Sequence, residues 1–412
     1  SNSLKIAASI IIFIFLIPYT ASLYNGLSRL FGMAFHIDYS VCIVLMAILT
    51  AIYVIAGGYM ATAINDFIQG IIMLGGIVAV ILAVLNGQGG FIQAIKTMAE
   101  IPSDVPVTMG QPGAFTSFFG PDPLNLLGVV ILTSLGTWGL PQMVGKFYAI
   151  KSEKDIHKGT VISTVFAIIV AGGCYFLGGF GRLYSDKIAI NEATGKPLFD
   201  TIIPTMLSTL PAIIVAIVIV LVLSASMSTL SSLVLTSSST FTLDVIVPAS
   251  KKKMNEMKQV VIMRIFIVFF IVVSAVIAIF KDSHPEVTFI AKMMGVSWGA
   301  LAGAFLAPFL YGLYWKGVTK VATVVCFVWG CAVAVLQLIV SLCGIDVTGW
   351  GTVLGYIFKS SINSGVVAMV GGLIIVPVIS LITKKQSKEE IDNMFQCYET
   401  MVEVPVKESL ED

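Results

Sequence analysis

Apolar runs of about 18 residues or more recur along almost the whole chain, and each is long enough to cross a hydrocarbon core about 30 Å thick. Backbone amides find no water in that layer, so such runs must satisfy themselves as helices, and the chain is read as an all-α polytopic membrane protein. Composition agrees: 57% of the 412 residues are hydrophobic and only 11% are charged, against roughly 25% charged in an ordinary soluble domain. The 24 basic and 23 acidic residues nearly cancel, which gives no electrostatic reason to expect a nucleic-acid partner. Six separated cysteines without Cys-x-x-Cys spacing read as small core residues.

Hydropathy predicts ten spans, at residues 4–32, 38–56, 60–86, 124–149, 157–182, 205–244, 256–281, 286–314, 319–343 and 362–384. Sixteen Lys and Arg, among them Lys5, Lys146, Lys258 and Lys316, then share the side of the N-terminus. Seven, among them Arg29 and Lys187, lie on the other, and Lys292 falls within a span. That bias predicts both ends of the chain on the cytoplasmic side, and a multi-pass plasma-membrane protein is expected. The first residue is Ser1, with no initiator Met and no cleavable leader pattern, so the chain reads as a piece of something longer. Residues 87–123 form an outer segment with an amphipathic stretch at Phe91–Met98 that suits a short interfacial helix. From Lys385 the tail turns polar and reads as a solvated extension without chemistry.

An ionisable group at mid-bilayer costs at least about 2.5–3.5 kcal/mol, and Asp66 is the one clear acidic candidate, about six residues inside the third predicted span. It is either a carboxylate paired with a neighbouring polar group near the inner interface, or a ligand for a cation. In the sixth span, residues 224–242 read SASMSTLSSLVLTSSSTFT, in which 12 of 19 residues carry hydroxyls. Ala225, Ser228, Thr229 and Ser232 share one helical face, with Ser231 on its flank. Hydroxyl and carbonyl oxygens are what a hard monovalent cation needs once it sheds water. Close packing and hydroxyl bonds to the helix's own carbonyls are the alternative. Depth favours the cation: Ser228 lies 17 residues past Pro211, about 26 Å at helical rise, in the inner layer where Asp66 also falls.

A third feature is TSLGTWGLPQM, residues 133–143, where Gly136, Gly139 and Pro141 interrupt an apolar span. Pro141 removes an amide donor and frees a carbonyl at mid-helix. The result is a simple kink or a discontinuous helix of the kind that holds solutes at the midplane of transporters. Thr133, Thr137, Trp138 and Gln142 are the groups available to meet a solute there. Lys292 is close enough to a span end to snorkel. His36, His157 and His284 fall in predicted connections without a metal or catalytic companion. No phosphate loop and no paired-His motif is present, so an enzyme is not expected.

With these residues in view, YVIAGGYMATAINDFIQG resembles the solute:sodium symporter family in the spacing of Gly57, Gly58, Asp66 and Gln69. Thr62 and Asn65 stand where Val and Thr are usual. LSASMSTLSS resembles that family's sodium-binding eighth core helix, and GLPQMVGKFYAIK the end of its sixth. The resemblance implies a leucine transporter-type fold of two inverted five-helix repeats, partial here because the first two core helices are lacking. Residues 1–86 would then be core helices three to five, 87–123 an extracytoplasmic loop, and 124–314 the second repeat. Residues 315–384 would be two peripheral helices, and 385–412 a cytoplasmic tail. It further implies sodium as the coupling ion, with the Ala225 carbonyl, Ser228 and Thr229 as half of one site. Asp66, Ser228, Ser231 and Ser232 would form a second.

The expected function is sodium-coupled symport of a small polar solute by alternating access, with the lipid bilayer as surroundings. Proton coupling through Asp66, or a non-transporting sensor of the same fold, are the alternatives. Proline-specific members carry aromatic residues where this chain has Thr133 and Thr137, which disfavours proline as the solute.

Overall fold

Every regular element in the computed structural model, which describes residues 2–150, 152–190, 195, 198–250, 253–282 and 290–398, is a helix. In chain order these are α1 (Asn2–Phe35), α2 (Tyr39–Gly87), α3 (Phe91–Glu100), α4 (Pro123–Ser134), α5 (Pro141–Val144), α6 (Glu153–Phe166), α7 (Gly172–Gly179) and α8 (Ile202–Ser208). They continue as α9 (Ala212–Phe241), α10 (Val247–Ala249), α11 (Glu256–Asp282), α12 (Ile290–Tyr314), α13 (Lys320–Leu342), α14 (Gly351–Lys359), α15 (Ser361–Ile382) and α16 (Lys388–Phe395). Among the described residues nine stretches are long and apolar enough to cross a membrane, and the bent pair Pro123–Gly139 and Pro141–Phe147 makes a tenth.

Helices begin where a side chain can accept the free amides of the first turn. Asp38 accepts from the amides of Ser40 and Val41 to open α2, Asp122 from Asn125 to open α4, and Thr319 from Ala322 to open α13. Prolines do the same work by sterics: Pro211 caps α9 and Pro141 opens α5, each ending the preceding helix. The predicted span 205–244 is accordingly corrected, because its first residues belong to the separate α8 and the spanning helix starts at Ala212. The amphipathic stretch near Phe91 is helical, as α3. His157 lies within α6, not in a connection, and His284 falls outside the described residues.

The spans predicted at 38–56 and 60–86 are parts of one 49-residue element, α2. Straight, it would measure roughly 74 Å at helical rise, more than twice a hydrocarbon core. Its contacts show two arms that run side by side. Tyr53 in the first arm donates to the carbonyl of Met227 in α9, while Asp66 in the second faces Ser228, the next residue of α9. Farther along, Val84 packs in one cluster with Leu30, Met206 and Leu207, close to where the first arm starts beside α1.

α1 runs through the middle of the bundle, with α2, α9, α11 and α12 around it, and Phe13, Tyr24, Ile43, Leu230, Phe270 and Leu301 fill the core between them. α1 is antiparallel to α12: the Phe15 carbonyl accepts from Ser297, Tyr19 meets Trp298 edge-on, and Gly26 approaches Ile290. The start of α1 and the end of α12 therefore share a side, with Lys5 paired to Asp244 there at 2.8 Å. Within the polar tail, Lys388–Phe395 forms α16, which has no buried residue and lies on the same side: Lys316 pairs with Asp392 at 3.0 Å and lies over the Phe395 ring. Residues 399–412 of that tail lie outside the described residues.

α12, α13 and α15 approach one another through small residues. A Cβ on Gly330 would sit 2.4 Å from the Ala304 amide nitrogen and 2.5 Å from the Gly303 carbonyl carbon. Both neighbours are backbone, so no rotamer change relieves the clash, and only separating the helices does. Gly330→Ala is expected to destabilise the fold by about 1–3 kcal/mol, read as a lower melting temperature and lower folded yield in detergent.

Candidate functional site

The hydroxyl-rich face of α9 forms where sequence spacing places it. Ala225, Ser228, Thr229 and Ser232 are half-buried, and Ser231 is buried at 2% exposure. The Thr229 hydroxyl donates to the Ala225 carbonyl at 3.0 Å, and the Ser231 hydroxyl to the Ser228 carbonyl at 2.9 Å. Such back-bonding is ordinary in apolar helices, yet it does not remove the ligand chemistry. Donation consumes the single hydrogen and leaves the hydroxyl oxygen's lone pairs, and a carbonyl has two, so the same atoms can still coordinate a cation.

Asp66 stands near the start of the second arm of α2, and it presents a carboxylate to Ser228 on that face. Its Oδ2 is 3.7 Å from Lys146 Nζ, and the Ser228 hydroxyl faces it. Its Oδ1 is buried with no hydrogen-bond partner. A buried carboxylate oxygen without a donor is costly, and this one belongs to a side chain that faces Ser228 of α9. Tyr53 completes the cluster: its hydroxyl donates to Met227 at 2.7 Å and lies beside Ser231. The two arms of α2 thus bring Asp66 to Ser228 and Tyr53 to Ser231, one turn farther along α9. Ser232 follows Ser231 on the helix and is half-buried.

The break at Pro141 is a real discontinuity. Gly136–Gly139 is a 3-10 turn, Leu140 is extended, and the two pieces on either side differ in direction by 56°. Gly139 allows it, because a Cβ there would lie 2.9 Å from Ala302 Cα and 3.0 Å from the Leu306 nitrogen. Beside the break is a cavity of about 650 Å³ lined by Thr137, Trp138, Met143, Phe147, Phe309 and Tyr314, among others. Thr137 and Trp138 therefore line one half-open groove, in which Trp138, Phe147 and Tyr314 are exposed. Thr133 turns its hydroxyl to the Val129 carbonyl at 2.8 Å, and Gln142 is buried at 5% exposure with both amide atoms unpartnered. Gln142 is the strongest polar feature at the break, since a buried amide with neither bond made is costly and leaves a donor and an acceptor free for a ligand.

Sequence reasoning counted Lys146 only as a charge on one side and did not single out Tyr53. It also passed over Asp200, which at the opposite end of the bundle accepts from Asn25 at 2.9 Å and from the Ile290 amide at 3.2 Å. Tyr39 donates to the same Asn25 at 2.8 Å. Asn25 was findable, as an amide in mid-run that is 1% exposed; its partner, in a polar connection, was not. Lys292 is exposed at the start of α12, consistent with a side chain that reaches the interface.

Comparison with known proteins gives one consistent result. A family model described as the sodium:solute symporter family matches residues 1–330. The osmoregulated proline transporter OpuE of Bacillus subtilis is 28% identical over 393 residues, which cover 94% of this chain and 72% of that protein. A sodium/proline symporter of Staphylococcus aureus is 30% identical over 346 residues, covering 82% of this chain but 63% of its own length. Among solved structures, a Na+-coupled sialic acid symporter in a substrate-bound outward-open state shares the fold, with a TM-score of 0.63 at 19% identity over 93% of this chain and 75% of that one.

Proposed function

Because the chain belongs to the sodium:solute symporter family, we propose that the protein couples sodium entry to uptake of a small polar solute by alternating access. The observation that carries this reading is the Asp66 carboxylate, with one buried oxygen unpartnered, facing the hydroxyl turn of α9. Sodium held between Asp66 and the oxygens of Ser228, Ser231 and Ser232 would join α2 to α9 with one negative and one positive charge, which removes the penalty of either alone. The Ala225 carbonyl, Ser228 and Thr229 would supply half of another sodium site on the same face. The solute is taken at the Pro141 break, where Thr137, Trp138 and Gln142 supply a hydroxyl, an aromatic face and an amide. Linkage does the rest: sodium favours the conformation that binds solute, and solute favours the one that binds sodium. In this reading the side bearing Lys5, Lys146 and Lys316 is cytoplasmic, in the plasma membrane.

Two of the relatives are named for proline, and proline heads the list of solutes to test, although Thr133 and Thr137 give the break a less aromatic wall than a proline carrier is expected to have. The test is uptake by the full-length gene product in proteoliposomes, with labelled proline, other amino acids, sugars and carboxylates, under sodium or proton gradients. An inward sodium gradient is expected to drive accumulation of one solute class. Equal accumulation under a proton gradient without sodium would overturn the sodium assignment and make Asp66 the proton carrier.

A further inference from the structure

Lys146 is the feature of the site that cation binding does not call for. A site that holds a cation gains nothing from a second positive charge, yet the Lys146 ammonium lies 3.7 Å from Asp66 Oδ2, on the opposite oxygen from the unpartnered Oδ1. The lysine side chain is 55% exposed while the carboxylate is 23% exposed, so its head can return to water at little cost. Lys146 also sits in the 3-10 turn Gly145–Ala149, directly after α5, on the arm that departs by 56° from the rest of the broken helix. Its neighbour Gly145 is exposed, with open space where a Cβ would be. The pair to Asp66 is therefore a tie between that arm and α2.

We propose that Lys146 is a tethered competitor for the cation at Asp66. Without sodium its ammonium neutralises the carboxylate and ties the arm after Pro141 to α2. When sodium binds to Asp66 and the serine oxygens, two monocations about 4 Å apart on one carboxylate repel, the ammonium leaves for the surface, and the arm is released. Ion occupancy is thereby passed by one side chain to the broken helix that borders the cavity. The inference rests on the reading of Asp66 as a sodium ligand.

The test compares the purified full-length protein with Lys146→Gln, Lys146→Arg, Asp66→Asn and the double variant Lys146→Gln/Asp66→Asn. Equilibrium binding of radioactive sodium and the sodium dependence of uptake are read on each. Removing the competitor is expected to raise sodium affinity three- to tenfold in Lys146→Gln. Lys146→Arg keeps the charge and is expected to stay near wild type. In the Asp66→Asn background, Lys146→Gln is expected to shift nothing. A Lys146→Gln protein with unchanged or weakened sodium affinity, or the same shift with and without Asp66, overturns the competitor role while leaving the sodium site standing. Wild type that binds no sodium overturns the underlying site as well.

Discussion

Asp66→Asn is expected to abolish sodium-driven uptake while leaving the protein folded. The substitution keeps the side chain's shape and removes its charge, so its effect separates two roles that a carboxylate can have. As a cation ligand in a partly buried site, the carboxylate is the counter-charge, and removing one partner of a buried pair costs roughly 3–5 kcal/mol. At about 1.4 kcal/mol per tenfold, that is on the order of a hundredfold or more in sodium affinity. As a partner for Lys146 it contributes far less. That lysine is 55% exposed, a released ammonium finds water at once, and exposed ion pairs are worth about 0–1 kcal/mol. Melting temperature should therefore move little and sodium dependence greatly. A large loss of stability with unchanged sodium dependence would make Asp66 a structural group.

What could be read from the sequence follows from what a bilayer makes expensive. Asp66, the serines of residues 224–242 and Pro141 each break the rule of an apolar span, and in the fold they lie on the arm facing α9, on α9 itself and at the 56° discontinuity. Groups whose role is set by a distant partner did not stand out. Lys146 reads as one of many basic residues at a span end until α2 brings Asp66 to it. Asp200 reads as a loop acid until Asn25 and the first amide of α12 are found on it. The spacing of Gly295, Gly299 and Gly303 is visible on one helix, but whether it matters depends on Gly365 and Gly330, which only packing reveals. Boundaries failed for a similar reason. The apolar run from residue 205 onward continues through a proline that ends one helix and begins another, and hydropathy does not register a change of direction.

Gly139→Ala is expected to cost more function than any other glycine substitution near the break, and the geometry says why. The added Cβ would meet Ala302 Cα at 2.9 Å and the Leu306 nitrogen at 3.0 Å, which are backbone atoms of α12. Gly76 shows the opposite case: a Cβ there meets Leu221 Cδ1 at 2.4 Å, the far end of a side chain that can change rotamer. Overpacking against backbone costs about 1–3 kcal/mol, which a bundle of this size can bear. Function is more sensitive, because pushing the break away from α12 by about 1 Å displaces Trp138 on one side of it and Gln142 on the other, and misplacement on that scale can cost on the order of a hundredfold. Gly139→Ala should thus keep membrane insertion and lose most uptake. Gly76→Ala should stay within about threefold of wild type, since a rotamer change of order 0.5–1.5 kcal/mol absorbs it. Parallel measurement of initial uptake rates and detergent melting curves decides the matter. Equal losses in both variants would mean that the approach of the broken helix to α12 is incidental, and that the discontinuity at Pro141 serves packing alone.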